Sequence, residues 1–353
     1  MRNWTVLLTA LIFSGAAINA SSILPAKIKE VKPEPISKIL YPHGQQSTVA
    51  PAFVTSVSYL GGGAGQIERR VGTSGVISPR TIAGPKGGSI INAPASWANG
   101  VELNFCGSTP GLGSNSFKAT YSILTSSSNP STTAGGSATT PTILPSFALN
   151  NLAVTTPLAT SVTSYYNMPS FQDALFTFSR SLFANEYLSI MIMTGLHGFG
   201  LNHRMSVAYK DTSGGVTTLK MSEATYGAGP LIGFCSTKLI LPNFALRGLL
   251  LASAPLSNHA LGQSDFYVHG GTKTIGYNAS STNQLRQHLV LHLDLEAIFR
   301  ADLLFGTAIE FLLAWHVKQY VNQSYLTSMS NNQNAPPSSV QINTIKAGLA
   351  FIF

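Results

Sequence analysis

His288, His292, Asp294 and Glu296 are the residues whose types and spacing could do chemistry in this chain. On a helix, the spacing of His288 and His292 would stack two imidazoles one turn apart, as in a metal pair. Imidazole and carboxylate together suit zinc in principle. The surrounding text, "LRQHLVLHLDLEA", argues otherwise, because Leu289, Leu291, Leu293 and Leu295 alternate with the polar residues and the Glu of an HExxH motif is missing. Side chains alternate across an extended strand with period two. The expectation is a strand with one leucine face and one polar row, and no bound metal.

The same pattern recurs downstream. In "TAIEFLLAWHVK", Thr307, Ile309, Phe311, Leu313, Trp315 and Val317 oppose a face that carries Glu310, His316 and Lys318. A helical reading would scatter those three charges around a cylinder, whereas strand spacing collects them. The chain closes on "NTIKAGLAFIF", where Ile345, Ala347, Leu349, Phe351 and Phe353 share one side and Lys346 lies on the other. These rows reach the roughly 9–11 residues that a tilted membrane-spanning strand needs.

Composition supports that reading. The chain has 353 residues, of which only 10% are charged, against roughly 25% in soluble domains. No run supplies the roughly 20 apolar residues of a spanning helix. The nearest, "LILPNFALRGLLLASAPL", is interrupted by Pro242, Asn243 and Arg247 and reads as two strands joined near "LPN". The amino end, with Arg2, the apolar "VLLTALIFSGAAINA" and Ala20, fits an export signal over residues 1–20. Removing it changes the formal charge of +8 to +8 − 1 = +7. The basic residues form no dense block, so nucleic acid is not an expected partner. Export of a hydrophobic chain with no spanning helix predicts a closed barrel, because every backbone group in lipid must find an internal partner.

The predicted fold is all-β: one transmembrane antiparallel barrel over residues 51–353, of about 12 strands (range 8–16), preceded by an extension at 21–50. Polar stretches separate the strands, the longest being the Ser/Thr-rich loop 125–142. Trp315, Tyr320 and Tyr325 are expected near an interface belt. Cys106 and Cys235 could pair with each other or between subunits, or stay as unpaired packing residues.

The final strand, with Phe353, Phe351 and Leu349, resembles the closing strand that the barrel-assembly machinery reads in bacterial outer-membrane proteins. Internal stretches resemble the Legionella major outer membrane protein family: "YGAGPLIGFCSTKLILPNFALRGLLLASAPL", "LHGFGLNHRMSVAYK", "SWANGVELNFCGSTPGLGSNSFKATYSIL" and "IEFLLAWHVKQYVNQSYL". The chain departs from that family in its low acidic content and its Lys/Pro-rich extension. The resemblance implies a surface-exposed, porin-like barrel in outer-membrane lipid, with a homotrimer and a disulfide link as further implications.

Function follows as an expectation. His288, His292, Asp294, Glu296, Glu310, His316, Lys318 and Lys346 are pore-lining candidates that would tune the passage of small solutes or ions. The alternative is a barrel plugged by its own salt bridges that binds partners through its outer loops. No GxSxG elbow occurs, and "GGGAG" at 61–65 lacks the Lys-Ser/Thr of a phosphate loop. Neither an enzyme nor a cofactor is expected.

Overall fold

The computed structural model describes residues 53–66, 70–73, 76–78, 81–82, 90–108, 115–126, 131–135, 143–145, 159–185, 187–302, 307–324 and 338–352. The export signal, the 21–50 extension, Tyr325 and Phe353 lie outside them. No helix among the described residues is long and apolar enough to cross a membrane.

Among the described residues the main sheet has thirteen strand segments, of which twelve close the ring. The twelve are β1 (Phe53–Gln66), β2 (Ser96–Ser108), β3 (Asn115–Ser126), β4 (Ser161–Ala184), β5 (Leu188–Lys210), β6 (Val216–Leu241), β7 (Phe244–Ser253), β8 (Leu256–His269), β9 (Thr272–Gln287), β10 (Leu289–Asp302), β11 (Ala308–Ser324) and β12 (Ser338–Ile352). Each pairs antiparallel with its sequence neighbour, except β7 with β8 and β9 with β10. Residues 231–241 of β6 pair with β7, and residues 216–228 pair with β8. Similarly, β9 pairs with β8 while β10 pairs with β7. Two segments therefore occupy one ring position in each case, the breaks falling at Ala254–Pro255 and at His288. Proline has no N–H for the ladder, which accounts for the first break. The wall closes through β12 against β1, giving ten ring positions, an even number within the expected range.

Hairpin chemistry is local. Between β8 and β9, Gly270 and Gly271 have φ of 55° and 81°, the paired positive values of a type I′ turn that glycine adopts without steric cost. Between β5 and β6, Asp211 Oδ1 accepts from the Ser213 N–H at 2.9 Å and the Gly215 N–H at 2.8 Å. Tyr267 donates to Asp211 Oδ2 at 3.0 Å. Partial burial works against the ionised form, but the hydrogen bonds from Ser213, Tyr267 and Gly215 outweigh it and hold the carboxyl below its ordinary range. A depressed folded-state pKa stabilises at neutral pH and loses that effect as pH falls through the acid range. Proteolytic nicking of this hairpin is therefore expected to rise below about pH 4 in the native chain. In Asp211→Ala the nicking rate should be high already at pH 7.

The wall changes polarity along its length. In the lower part, outward positions are apolar and exposed: Phe311, Leu313 and Trp315 on β11, Ile345, Leu349 and Phe351 on β12, Leu103 and Phe105 on β2, Ile232 and Phe234 on β6. The inward positions between them are buried and polar, among them Glu102, Asp294, Glu310 and Lys346. That is the polarity of a barrel that spans a membrane. Near the upper edge of the band, Trp315 donates to Asn343 at 2.5 Å, and Trp97 and Tyr59 both donate to Asn99, at 2.9 and 2.6 Å. Amphipathic rings with polar partners are favoured at an interface.

Above this level β4, β5, β6, β8 and β9 continue, β5 and β6 reaching 23 and 26 residues. There Arg204, Ser206, Lys220 and Ser222 face outward, while Leu201, Met205, Val207, Leu219 and Met221 face inward and are buried. The upper wall is thus built like a water-soluble sheet.

Tyr320 does not join the interface belt. It shares the inward parity of Glu310, His316 and Lys318 and is fully buried. Residues 131–135 of the Ser/Thr-rich stretch form a short strand against 161–165 of β4.

Candidate functional site

All eight pore-lining candidates face the lumen and are buried. The strands fix this: β10 and β11 run in register with Asp294 opposite His316 and His292 opposite Lys318, so two polar rows merge into one patch. Lys346 enters from β12. Its Nζ lies 3.2 Å from Glu102, 3.5 Å from Glu296 and 3.8 Å from Asp294. Arg247 of β7 donates its Nε–H to Glu296 at 2.7 Å. His292 Nε2 and His316 Nδ1 both face Asp294 Oδ1, at 3.1 and 2.7 Å. Glu102 is further bound by Asn104, whose amide donates at 3.0 Å. A cavity of about 40 Å³ reaches this network between Lys118, Cys235, Arg247, Asp294, Glu296 and Lys346.

The other candidates separate from it. Lys318 forms an ion pair with Asp173 of β4, which also accepts from Tyr320 at 3.1 Å and contacts His197 Nε2 at 2.7 Å. His288 leaves the strand row at its break and meets His259, Nε2 to Nε2, at 2.9 Å. His259 Nδ1 lies 2.9 Å from Glu223, and His203 reaches the second oxygen of Glu223 at 3.0 Å. Glu310 stands opposite Arg300 in the register.

Above the Lys346 network the lumen is packed mainly with hydrocarbon, with His203 and Glu223 interleaved on β5 and β6. One buried cluster contains Leu60 from β1, Leu124 from β3, Phe171 from β4, Phe199 and Leu201 from β5, Val290 from β10, Tyr320 from β11 and Ile342 from β12. β4 and β5 are not ring neighbours of β11, so their contacts with Tyr320 cross the lumen. Phe199 and Phe171 lie 5.0 and 5.7 Å from the Tyr320 ring, centroid to centroid. Ile91 and Ile143, from the connections between β1 and β2 and between β3 and β4, join the same cluster. Eight strands leave room for little besides side chains and open porins use 16–18, so a ring of ten with bulky inward residues closes readily.

Cys106 and Cys235 are free, buried thiols that face the interior in separate apolar clusters.

Glu102, Asp173, His197 and Glu223 are not among the candidates read from the sequence; Arg247 stands there only as an interruption of an apolar run, and Tyr320 is assigned to the interface belt. Glu102 and Asp173 carried a signal in their alternation, and Tyr320 in the parity it shares with Lys318. Glu102 alternates with Val101 and Leu103, and Asp173 lies two residues before Leu175 on a face opposite Ala174, Phe176 and Phe178. Each is one charge in an otherwise apolar stretch rather than a row, so it stood out less.

Ser253, His197 and Asp173 also line up. Ser253 Oγ lies 2.6 Å from His197 Nδ1, with Asp173 on the far nitrogen. All three are buried. Ser253 ends β7, and Asp173 is also paired with Lys318.

No family model and no curated protein matches the chain. Solved structures with similar architecture include the outer membrane protease OmpT from Escherichia coli, at 11% identity and TM-score 0.39, covering 87% of this chain and 100% of that one. The CymD monoaromatic hydrocarbon channel gives 9% and 0.33, covering 90% and 91%. A Pseudomonas aeruginosa FadL homologue gives 6% and 0.27, covering 89% and 94%. At these values the likeness says nothing of activity.

Proposed function

We propose that the chain is an exported barrel of the bacterial outer membrane whose lumen is shut at rest, and that it acts by presenting its raised outer wall rather than as an open diffusion pore. The observation that carries this is the apolar cluster shared by strands all around the ring, lying above a paired charge network. Ions crossing such a lumen would have to displace hydrocarbon and break buried ion pairs, and unpairing buried charges is costly. The exposed apolar band supports insertion into lipid. The alternating final strand supports recognition by the barrel-assembly machinery. No nucleic-acid surface, cofactor or catalytic role is part of this reading.

A gated channel is the second reading, favoured by the cavity beside Lys346 and Arg247, which leaves part of the charged layer accessible. Planar-bilayer recording separates the two. Purified protein, with folding verified by its gel-mobility shift on boiling, is expected to give no steady stepwise current. Regular open steps at low voltage would sink the closed-lumen reading. Brief voltage-driven openings, made long-lived by Tyr320→Ala with Phe171→Ala, would favour the gated one. A fluorophosphonate probe should leave Ser253 unlabelled in the same preparation; labelling there would reopen the enzymatic question.

A further inference from the structure

We propose that His292, Asp294 and His316 form a binding site for one divalent transition-metal ion of zinc type inside the barrel. Their donor atoms lie within 4.8 Å of one another and all three residues are buried. Asp294 Oδ1 is the common point, 3.1 Å from His292 Nε2 and 2.7 Å from His316 Nδ1. Ligand atoms around a tetrahedral zinc, bound at about 2.0–2.1 Å, stand roughly 3.3 Å apart, so small adjustments admit the ion.

Among the described residues, both imidazoles have a buried Nδ1 without a hydrogen-bond partner, and the one on His316 points at the shared carboxylate. The contact between His316 Nδ1 and Asp294 is short but misaligned, and the nitrogen has no hydrogen-bond partner among the described residues, although the side chain is only 2% exposed. A buried imidazole nitrogen with no aligned donor or acceptor, aimed at a carboxylate shared with a second imidazole, is what a metal would satisfy. Two imidazoles and one carboxylate leave a position open for water, as zinc sites outside purely structural ones do. The cavity of about 40 Å³ reaches Asp294, and a water needs only about 10–15 Å³ of such space.

Lys346 is the competing cation. Its nearer partners are Glu102 and Glu296, and Asp294 Oδ2, not Oδ1, is the oxygen it approaches at 3.8 Å. Three carboxylates (Glu102, Asp294, Glu296) face three cations (Arg247, Lys346 and Lys118 of the cavity lining), −3 + 3 = 0, so the donor geometry rather than a surplus of negative charge carries the site. The proposal does not depend on whether the lumen conducts.

The test uses the full mature barrel without a polyhistidine tag, stripped with a chelator and titrated with cobalt(II). One equivalent should bind saturably, with visible ligand-field bands that zinc abolishes by competition. His292→Ala and His316→Ala, each shown to fold by gel mobility, should each weaken binding at least tenfold. His259→Ala, in the separate His203–Glu223–His259 set, should not. Absence of saturable binding by the native barrel would overturn the proposal. So would binding that survives His316→Ala and vanishes in His259→Ala. Zinc K-edge absorption of the native protein gives a reading independent of variant folding: two imidazoles are expected, and fewer than two would refute the site.

Discussion

Replacing Asp173 by Ala is expected to destabilise the barrel by about 3–5 kcal/mol, the range for removing one partner of a buried ion pair. Asp173 is held by Lys318, Tyr320 and His197, and the side chains of both Asp173 and Lys318 are almost wholly inaccessible. Removing the carboxylate strands the Lys318 ammonium inside the wall and leaves the Tyr320 hydroxyl without its acceptor. The magnitude follows from that stranded charge, since a lost hydrogen bond to a charged group accounts for only about 1.5–3 kcal/mol. A paired change, Asp173→Leu with Lys318→Met, removes both charges and should recover most of the loss, because apolar replacements of buried pairs are often neutral or stabilising. Urea unfolding of the refolded barrel in lipid, followed by tryptophan fluorescence, reads both. A single variant within about 1 kcal/mol of the native protein would show that water reaches Lys318 and that the lumen is wetter than the packing implies.

The second large effect concerns the outer face. Leu313 points outward from β11 with Ala297 and Ala347 beside it in the register, midway between the level of Asn343 and that of Phe351. Leu313→Arg should cost about 2–4 kcal/mol, as for a cation at the bilayer midplane, and should lower the yield of folded barrel in the membrane. Leu291, although also outward, stands opposite Gln319 nearer the polar rim and should be more tolerant. Ser206→Arg provides the contrast. It adds the same charge to an outward position of the upper wall, among Arg204, Lys220 and Ser222, and should stay within about 0.5 kcal/mol of the native protein. Equal effects at Leu313 and Ser206 would refute the change of outer solvent between the two levels.

Much of this molecule was written in its alternation. The leucines between His288 and Glu296, and the row opposite Glu310, His316 and Lys318, assign strand and shared face correctly, because period two is a property of the backbone alone. The break at Pro242–Asn243 was equally legible, since proline and asparagine favour a turn between β6 and β7. The assignment of Tyr320 to the interface belt was wrong although its parity, which matches Lys318 and not Trp315, already pointed inward.

Alternation cannot say which strands meet across a closed ring. Lys346 finds Glu102 from 244 residues away, and Lys318 finds Asp173 from 145. Those pairings depend on the number of ring positions and the stagger of the strands, which are set by closure of the whole sheet. Two of the strand segments lie end to end with their neighbours, so twelve segments make ten positions. Nor does alternation say which solvent each face meets. Met205, Val207 and Tyr209 follow the same rule as Phe311, Leu313 and Trp315, yet the first set fills the interior and the second is exposed on the outer face. A strand specifies two faces, and only its height in the assembled wall decides whether the apolar one turns inward or outward.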